Sequence, residues 1–124
     1  MKDEIIDCLA YDGKVSIKCI SSREIVETAR KLHDLSPTAS AALGRLLTIT
    51  SIMGYELKTE NASITNQVKG DGPIGILTAV ADCHGNVKGY VGDSKIDLPL
   101  RESDGKLDVG GAVGKQGMLY IIKD

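Results

Sequence analysis

Tryptophan and phenylalanine are both absent, and only four tyrosines remain as aromatic residues. That leaves little with which to stack bases. An excess of positive charge is missing too: the formal net charge is -2, so nothing draws the chain electrostatically to nucleic acid. No apolar run approaches the roughly 20 residues that span a bilayer. The opening MKDEIIDCLAYDG carries acids where a secretory signal needs net positive charge. Cysteine is scarce: Cys8, Cys19 and Cys83 make an odd count without CxxC spacing. A disulfide framework is not expected, and a reducing cytoplasm is the simplest location. Nucleic-acid and membrane partners are therefore not anticipated.

What is present is an ordinary globular balance of 42% hydrophobic and 26% charged residues. A chain of 124 residues suits one domain, residues 1–124, able to bury roughly two-thirds of its unfolded surface.

The stretch CLAYDGKVSIKC reads as a hairpin turning at Asp12-Gly13, a pair suited to the positive φ angles of a type I′ turn. That turn sets Cys8 opposite Ile17 and gathers Ile6, Cys8, Ala10, Val15, Ile17 and Cys19 on one apolar face. The expectation is that this face packs inward, with Cys8 and Cys19 as core filler. In SSREIVETARKLH, Ser21 and Glu24 form an S-x-x-E capping box ahead of a helix carrying Ile25, Ala29 and Leu32. A longer helix begins at Ser36-Pro37, a good N-cap followed by a proline at the first helical position. Ala39, Leu43, Leu46 or Leu47, Thr50 and Met53 trace its core stripe, and Gly54 is a candidate for its end.

From Ala62 the pattern turns to strands. SITNQVKG alternates loosely, ILTAVAD reads as a strand buried on both faces, CHGN as a turn, and VKGYVGD alternates again. A looser segment runs from Asp93 to Asp108, and GMLYIIKD closes as another apolar strand. That last strand has no later element to cover it, which points to an oligomer or to a piece of a longer chain. The fold class expected is α+β: an N-terminal hairpin, two helices, then a mainly antiparallel twisted sheet.

Several motifs invite chemistry. GDGPIG, from Gly70 to Gly75, spells Gly-x-Gly-x-x-Gly, with Asp93 and Asp97 downstream as candidate ribose ligands. The dinucleotide reading needs a helix to open at the glycines, yet only Ile76 to Asp82 precede the next turn. A glycine-rich connection between antiparallel strands, with Pro73 setting one dihedral, fits better. GGAVGKQG fails as a phosphate loop, because Gly110 is one residue too close to Gly114 and Gln116 replaces the hydroxyl. Cys83-His84 could pair a thiolate with a base, but neighbours in a tight turn seldom point together and no third group is evident. His33, His84 and Cys83 lack zinc-ligand spacing. Arg45 suits either a buried or interfacial arginine holding a carboxylate or a solvated side chain. No catalytic, cofactor or metal residue is assigned, and an enzyme is not expected.

At AYDGKV, SPTASAALGRLL, GDGPIG and KLDVGGAVGKQGMLYIIKD the chain resembles the redox-regulated heat-shock holdases, the thirty-three-kilodalton chaperonins of bacteria. The resemblance spans essentially the whole chain. It implies an ATP-independent chaperone that binds unfolding client proteins under heat and oxidative stress and works as a homodimer. In that family zinc is held, and disulfides form, in a C-terminal module with CxC and CxxC cysteine pairs. Neither pair occurs here, so no redox or metal role passes to Cys8, Cys19 or Cys83. The resemblance makes this an N-terminal part of the core domain, an incomplete domain relative to the family. The alternatives are a small nucleotide-binding enzyme using Gly70 to Gly75, or a structural dimerisation module.

Overall fold

A computed structural model describes residues 2–124. Strands β1 (Ile5–Ala10) and β2 (Val15–Ile20) form the hairpin in the predicted register, with Cys8 opposite Ile17. Lys14 N–H donates to the Tyr11 carbonyl at 3.1 Å, and Asp12 and Gly13 have φ of +56° and +79°. The predicted faces are also as drawn, but their orientation is reversed. Ile6, Cys8, Val15, Ile17 and Cys19 are exposed, whereas Ile5, Lys18 and Ile20 on the other side are partly covered. Cys8 and Cys19 are therefore not core filler. Lys18 holds that side with ion pairs to Asp7 at 3.6 Å and Glu56 at 3.8 Å. An all-apolar strand face stays uncovered because no described element lies over it.

Helix α1 (Arg23–His33) starts at Ser22, without the predicted capping box. The N-terminal segment outcompetes it. Ser21 Oγ accepts the Glu4 N–H at 3.0 Å, and Asp3 Oδ2 takes the Ile25 N–H at 2.8 Å. Those bonds tie the hairpin's entry to the helix start and satisfy one of its orphan donors.

Helix α2 (Pro37–Tyr55) opens as expected, with Ser36 Oγ accepting the Ala39 N–H at 3.2 Å. The same hydroxyl donates to the Ile96 carbonyl at 2.7 Å, and Lys95 pairs with the Asp34 carboxylate and carbonyl. The Asp93–Asp108 segment is thereby pinned across the joint between the helices. The bond from Lys95 keeps the exposed Asp34 carboxyl below the usual carboxylate range. Ser36→Ala removes both the cap and the bond to Ile96, and should lower stability by about 2 kcal/mol. A thermal melt followed by circular dichroism checks this; an unchanged midpoint would mean the cap is redundant.

The predicted stripe of α2 is buried from Ala39 through Thr50, with Met53 half-buried. The helix ends at Tyr55, one residue beyond Gly54, with the Glu56 N–H bonded back to Gly54 O. A Cβ at Gly54 would come within 2.4 Å of the Asp82 carbonyl, so Gly54 lets α2 lie directly on a strand end.

Strands β3 (Ser63–Gly70), β4 (Ile76–Asp82), β5 (Val87–Val91) and β6 (Gly117–Lys123) make an antiparallel sheet in the order β5-β4-β3-β6. Between β5 and β6 a short helix, α3 (Val109–Val113), follows the looser Asp93–Asp108 segment, at residues to which the sequence pattern assigns no element. Helix α2 packs on one sheet face, where Ile64, Asn66, Leu77, Ala79 and Ala81 are buried. Strand β4 is buried on both sides only in part: on the outer face Thr78 is buried, whereas Ile76 is 41% exposed and Val80 half-buried. The core joins Leu43 and Leu47 of α2 to Leu77, Ala79, Ile74, Ile96 and Ala112.

Candidate functional surface

The two glycine-rich stretches flagged in the sequence meet each other. Gly72 N–H and Ile74 N–H donate to the carbonyls of Val113 and Ala112, each at 3.0 Å, and Asp71 N–H donates to Gln116 O at 2.9 Å. The Asp71 carboxylate folds back on the other loop: Oδ1 accepts the N–H groups of Lys115 at 3.0 Å and Gln116 at 3.3 Å. Successive backbone N–H groups of that kind make an anion nest, and here the chain's own carboxylate fills it. After Gly75 the chain enters β4 at Ile76, so no helix N-terminus faces the Gly70 to Gly75 loop. Asp93 Oδ1 is engaged by the Lys95 N–H, and Asp97 is an exposed loop residue. In this geometry the two loops form a structural clasp.

Arg45 lies on the exposed side of α2 and has no ion-pair partner among the described residues, matching the solvated reading. His33 ends α1 at the surface.

Cys83 and His84 behave differently from expectation. They occupy the centre of the β4–β5 turn, closed by the Gly85 N–H donating to Asp82 O at 3.1 Å. Asp82 Oδ1 accepts the N–H groups of His84 at 2.9 Å and Asn86 at 3.0 Å, fixing the turn further. Both side chains then reach Glu60, in the turn before β3. His84 Nε2 lies 2.9 Å from Glu60 Oε1, and Cys83 Sγ lies 3.4 Å from the Glu60 carbonyl and 3.9 Å from Oε2. The missing third group is thus Glu60. Sequence reading could not find it, because only the β3–β4 pairing, with Ser63 opposite Asp82, brings these two turns together. The hydrogen bond to Glu60 raises the His84 pKa above its ordinary value. Partial burial, followed by the Glu60 and Asp82 charges, pushes the Cys83 thiol up.

The most extensive surface feature is apolar. In β6 every residue is exposed, with Met118 at 60% and Ile122 at 58%. Pairing with β3 places Met118, Tyr120 and Ile122 on the outer sheet face and Leu119 and Ile121 on the side of α2. Tyr120 also receives Lys69 Nζ over its ring, 5.1 Å from the centroid. On the same face β3 interposes Thr65, Gln67 and Lys69, beyond which Ile76 on β4 and Tyr90 on β5 are also exposed. Far along the chain, the hairpin's Ile6, Val15 and Ile17 present a second uncovered apolar face. Scattered exposed apolar residues are ordinary; contiguous strand faces of this kind mark interaction sites. Among the described residues no helix is long and apolar enough to cross a membrane.

Comparison with known proteins agrees with these features. A family model described as Hsp33 protein matches residues 3–124. A 33 kDa chaperonin of Clostridium perfringens is 46% identical over 126 residues, covering 100% of this chain and 39% of that protein. One from Caldanaerobacter subterraneus is 48% identical, covering 100% of this chain and 42% of that protein. The crystal structure of the 33 kDa chaperonin of Thermotoga maritima superposes with a TM-score of 0.89 at 38% identity, over 97% of this chain and 40% of that one. The chain thus spans about two-fifths of the length of these relatives, and its fold is part of a larger domain. On the family match and the close structural likeness together, the chain belongs to the Hsp33 family.

Proposed function

We propose that this chain is the N-terminal core part of an ATP-independent holdase, a chaperone that keeps unfolding proteins from aggregating under heat and oxidative stress. The observation that carries this reading is the run of exposed apolar side chains along β6, from Met118 to Ile122. Such a surface binds unfolded segments through apolar contact and exposed strand edge, and needs no fixed pocket or catalytic group. Clients are unfolding proteins of the cytoplasm, and the working form of the whole protein is a homodimer. Zinc and the redox-forming disulfides belong to cysteine pairs of the whole protein that have no counterpart in Cys8, Cys19 or Cys83.

Light scattering from a heated, aggregation-prone client tests the proposal. The 124-residue chain is expected to suppress aggregation equally with and without peroxide. The pair Tyr120→Ser and Ile122→Ser should lose most of that suppression while keeping the native circular dichroism spectrum. Failure to suppress aggregation at any ratio would overturn the holdase reading. A peroxide response that persists when all three cysteines are replaced would overturn the account of the switch.

One observation favours a second reading. β6 is a sheet edge whose outer backbone groups pair with nothing described, and two copies joined there would form a continuous sheet. A pure dimerisation module would show concentration-dependent sedimentation, abolished by the same β6 pair, without any protection of clients.

A further inference from the structure

We propose that Glu60, Cys83 and His84 form a three-ligand site for a divalent transition ion of the zinc type, unconnected with the glycine-rich loops and the apolar strand. Their ligand atoms, a carboxylate oxygen, a thiol sulfur and an imidazole nitrogen, all lie within 4.8 Å of one another. Zinc bonds of about 2.0 Å to nitrogen and oxygen and 2.3 Å to sulfur put these tetrahedral ligands about 3.3–3.5 Å apart. The separations of 2.9 Å between His84 Nε2 and Glu60 Oε1, and 3.9 Å between Cys83 Sγ and Glu60 Oε2, bracket that spacing.

The chemistry selects the ion class. One sulfur, one imidazole and one carboxylate suit zinc or cobalt, whereas calcium and magnesium require oxygen shells. The ligands are also held in place before any ion arrives. The Cys83-His84 turn is fixed by the bonds that Asp82 accepts, and Glu60 stands in a turn closed by the Ala62 N–H donating to Thr59 O at 3.0 Å. Those turns flank the end of the β3–β4 ladder at Ser63 and Asp82, which fixes their separation. His84 and Glu60 face solvent, leaving the fourth corner to water. Binding releases the Cys83 thiol proton to solvent, and the ion then ties the α2–β3 connection to the β4–β5 turn.

Cobalt titration of the 124-residue chain with Cys8→Ser and Cys19→Ser tests the site, since Cys83 is then the only thiol. Expected are a saturable thiolate-to-cobalt charge-transfer band with tetrahedral visible bands, displaced by one equivalent of zinc. Adding Cys83→Ser should remove the charge-transfer band, and His84→Ala or Glu60→Gln should weaken binding by roughly tenfold or more. Zinc should raise the melting temperature of the Cys83 form and leave that of Cys83→Ser unchanged, which separates a site from loose surface binding. Absence of a band, a band that survives Cys83→Ser, or full affinity in both His84→Ala and Glu60→Gln would overturn the proposal. Glu60, Cys83 and His84 are turn residues and Cys8 and Cys19 are exposed hairpin-strand residues, and circular dichroism verifies that each variant is folded before titration.

Discussion

Gly72→Val is expected to destabilise the native fold by at least about 4 kcal/mol, enough to leave much of the chain unfolded. A Cβ at Gly72 would stand 2.2 Å from the Ala112 carbonyl, 2.5 Å from the Val113 carbonyl carbon and 2.6 Å from the Gly114 nitrogen. Those are backbone atoms, so no rotamer change relieves the clash; one loop has to leave the other. Separation breaks the bonds from Gly72 and Ile74 to α3, and takes Asp71 out of the nest at Lys115 and Gln116. Strand β6 begins directly after that nest, at Gly117, so its alignment with β3 is weakened as well. In urea the midpoint should fall by about 2 M, given typical slopes for a small domain. Gly110→Ala supplies the contrast. Nothing lies within 4 Å of its missing Cβ, and alanine in a helix should be neutral or stabilise by up to about 1 kcal/mol. A Gly72→Val protein with the parental midpoint would show that the two loops do not depend on each other.

Leu47→Ala is the second large effect, at about 2–5 kcal/mol. Leu47 is 1% exposed and reaches the sheet where β5 has a glycine, with its Cδ2 only 3.0 Å from where a Gly89 Cβ would be. Alanine would leave a void against Leu43, Leu77 and Ala79, and those neighbours have few atoms with which to fill it. Because total stability for such a domain is about 5–15 kcal/mol, one truncated leucine removes a large share. Ile122→Ala removes a similar volume from a residue 58% exposed, and should cost less than about 0.5 kcal/mol. Equilibrium denaturation of the two variants side by side measures the difference. Equal losses would mean that β6 is buried in solution and that the apolar strand is not a free surface.

Local signals in the sequence carried most of the fold. The Asp12-Gly13 turn and alternating residues determine the hairpin register, and Ser36-Pro37 marks the start of α2, because both depend on neighbours in sequence. What local pattern could not say is which side of an amphipathic hairpin meets the rest of the molecule. The apolar face of Ile6, Val15 and Ile17 gives the hydrophobic-in answer, and the structure turns it outward. The capping box at Ser21 failed for a similar reason: Asp3 and Glu4 come from another element and reach the helix start first. Helix α3 escaped notice because its five residues, Val-Gly-Gly-Ala-Val, have almost no helical signature. Its bonds to the 70–75 loop support what its own sequence does not. The Glu60, Cys83 and His84 cluster was illegible for the plainest reason. Its members belong to two turns that become neighbours only when β3 and β4 pair.

The position of β6 in the sheet also bears on the order in which the chain assembles. Strands β3, β4 and β5 form a meander joined by short turns, so their pairings close small loops and cost little chain entropy. Strand β6 reaches β3 only after the chain has passed through β4, β5, the Asp93–Asp108 segment and α3. That pairing has the greatest sequence separation in the sheet, and non-local strand pairings are slow to form. Until it forms, β3 offers a second bare edge beside buried Asn66 and Ile64. The nascent protein therefore passes through a stage that leaves an unpaired strand edge open to other chains in a crowded cell.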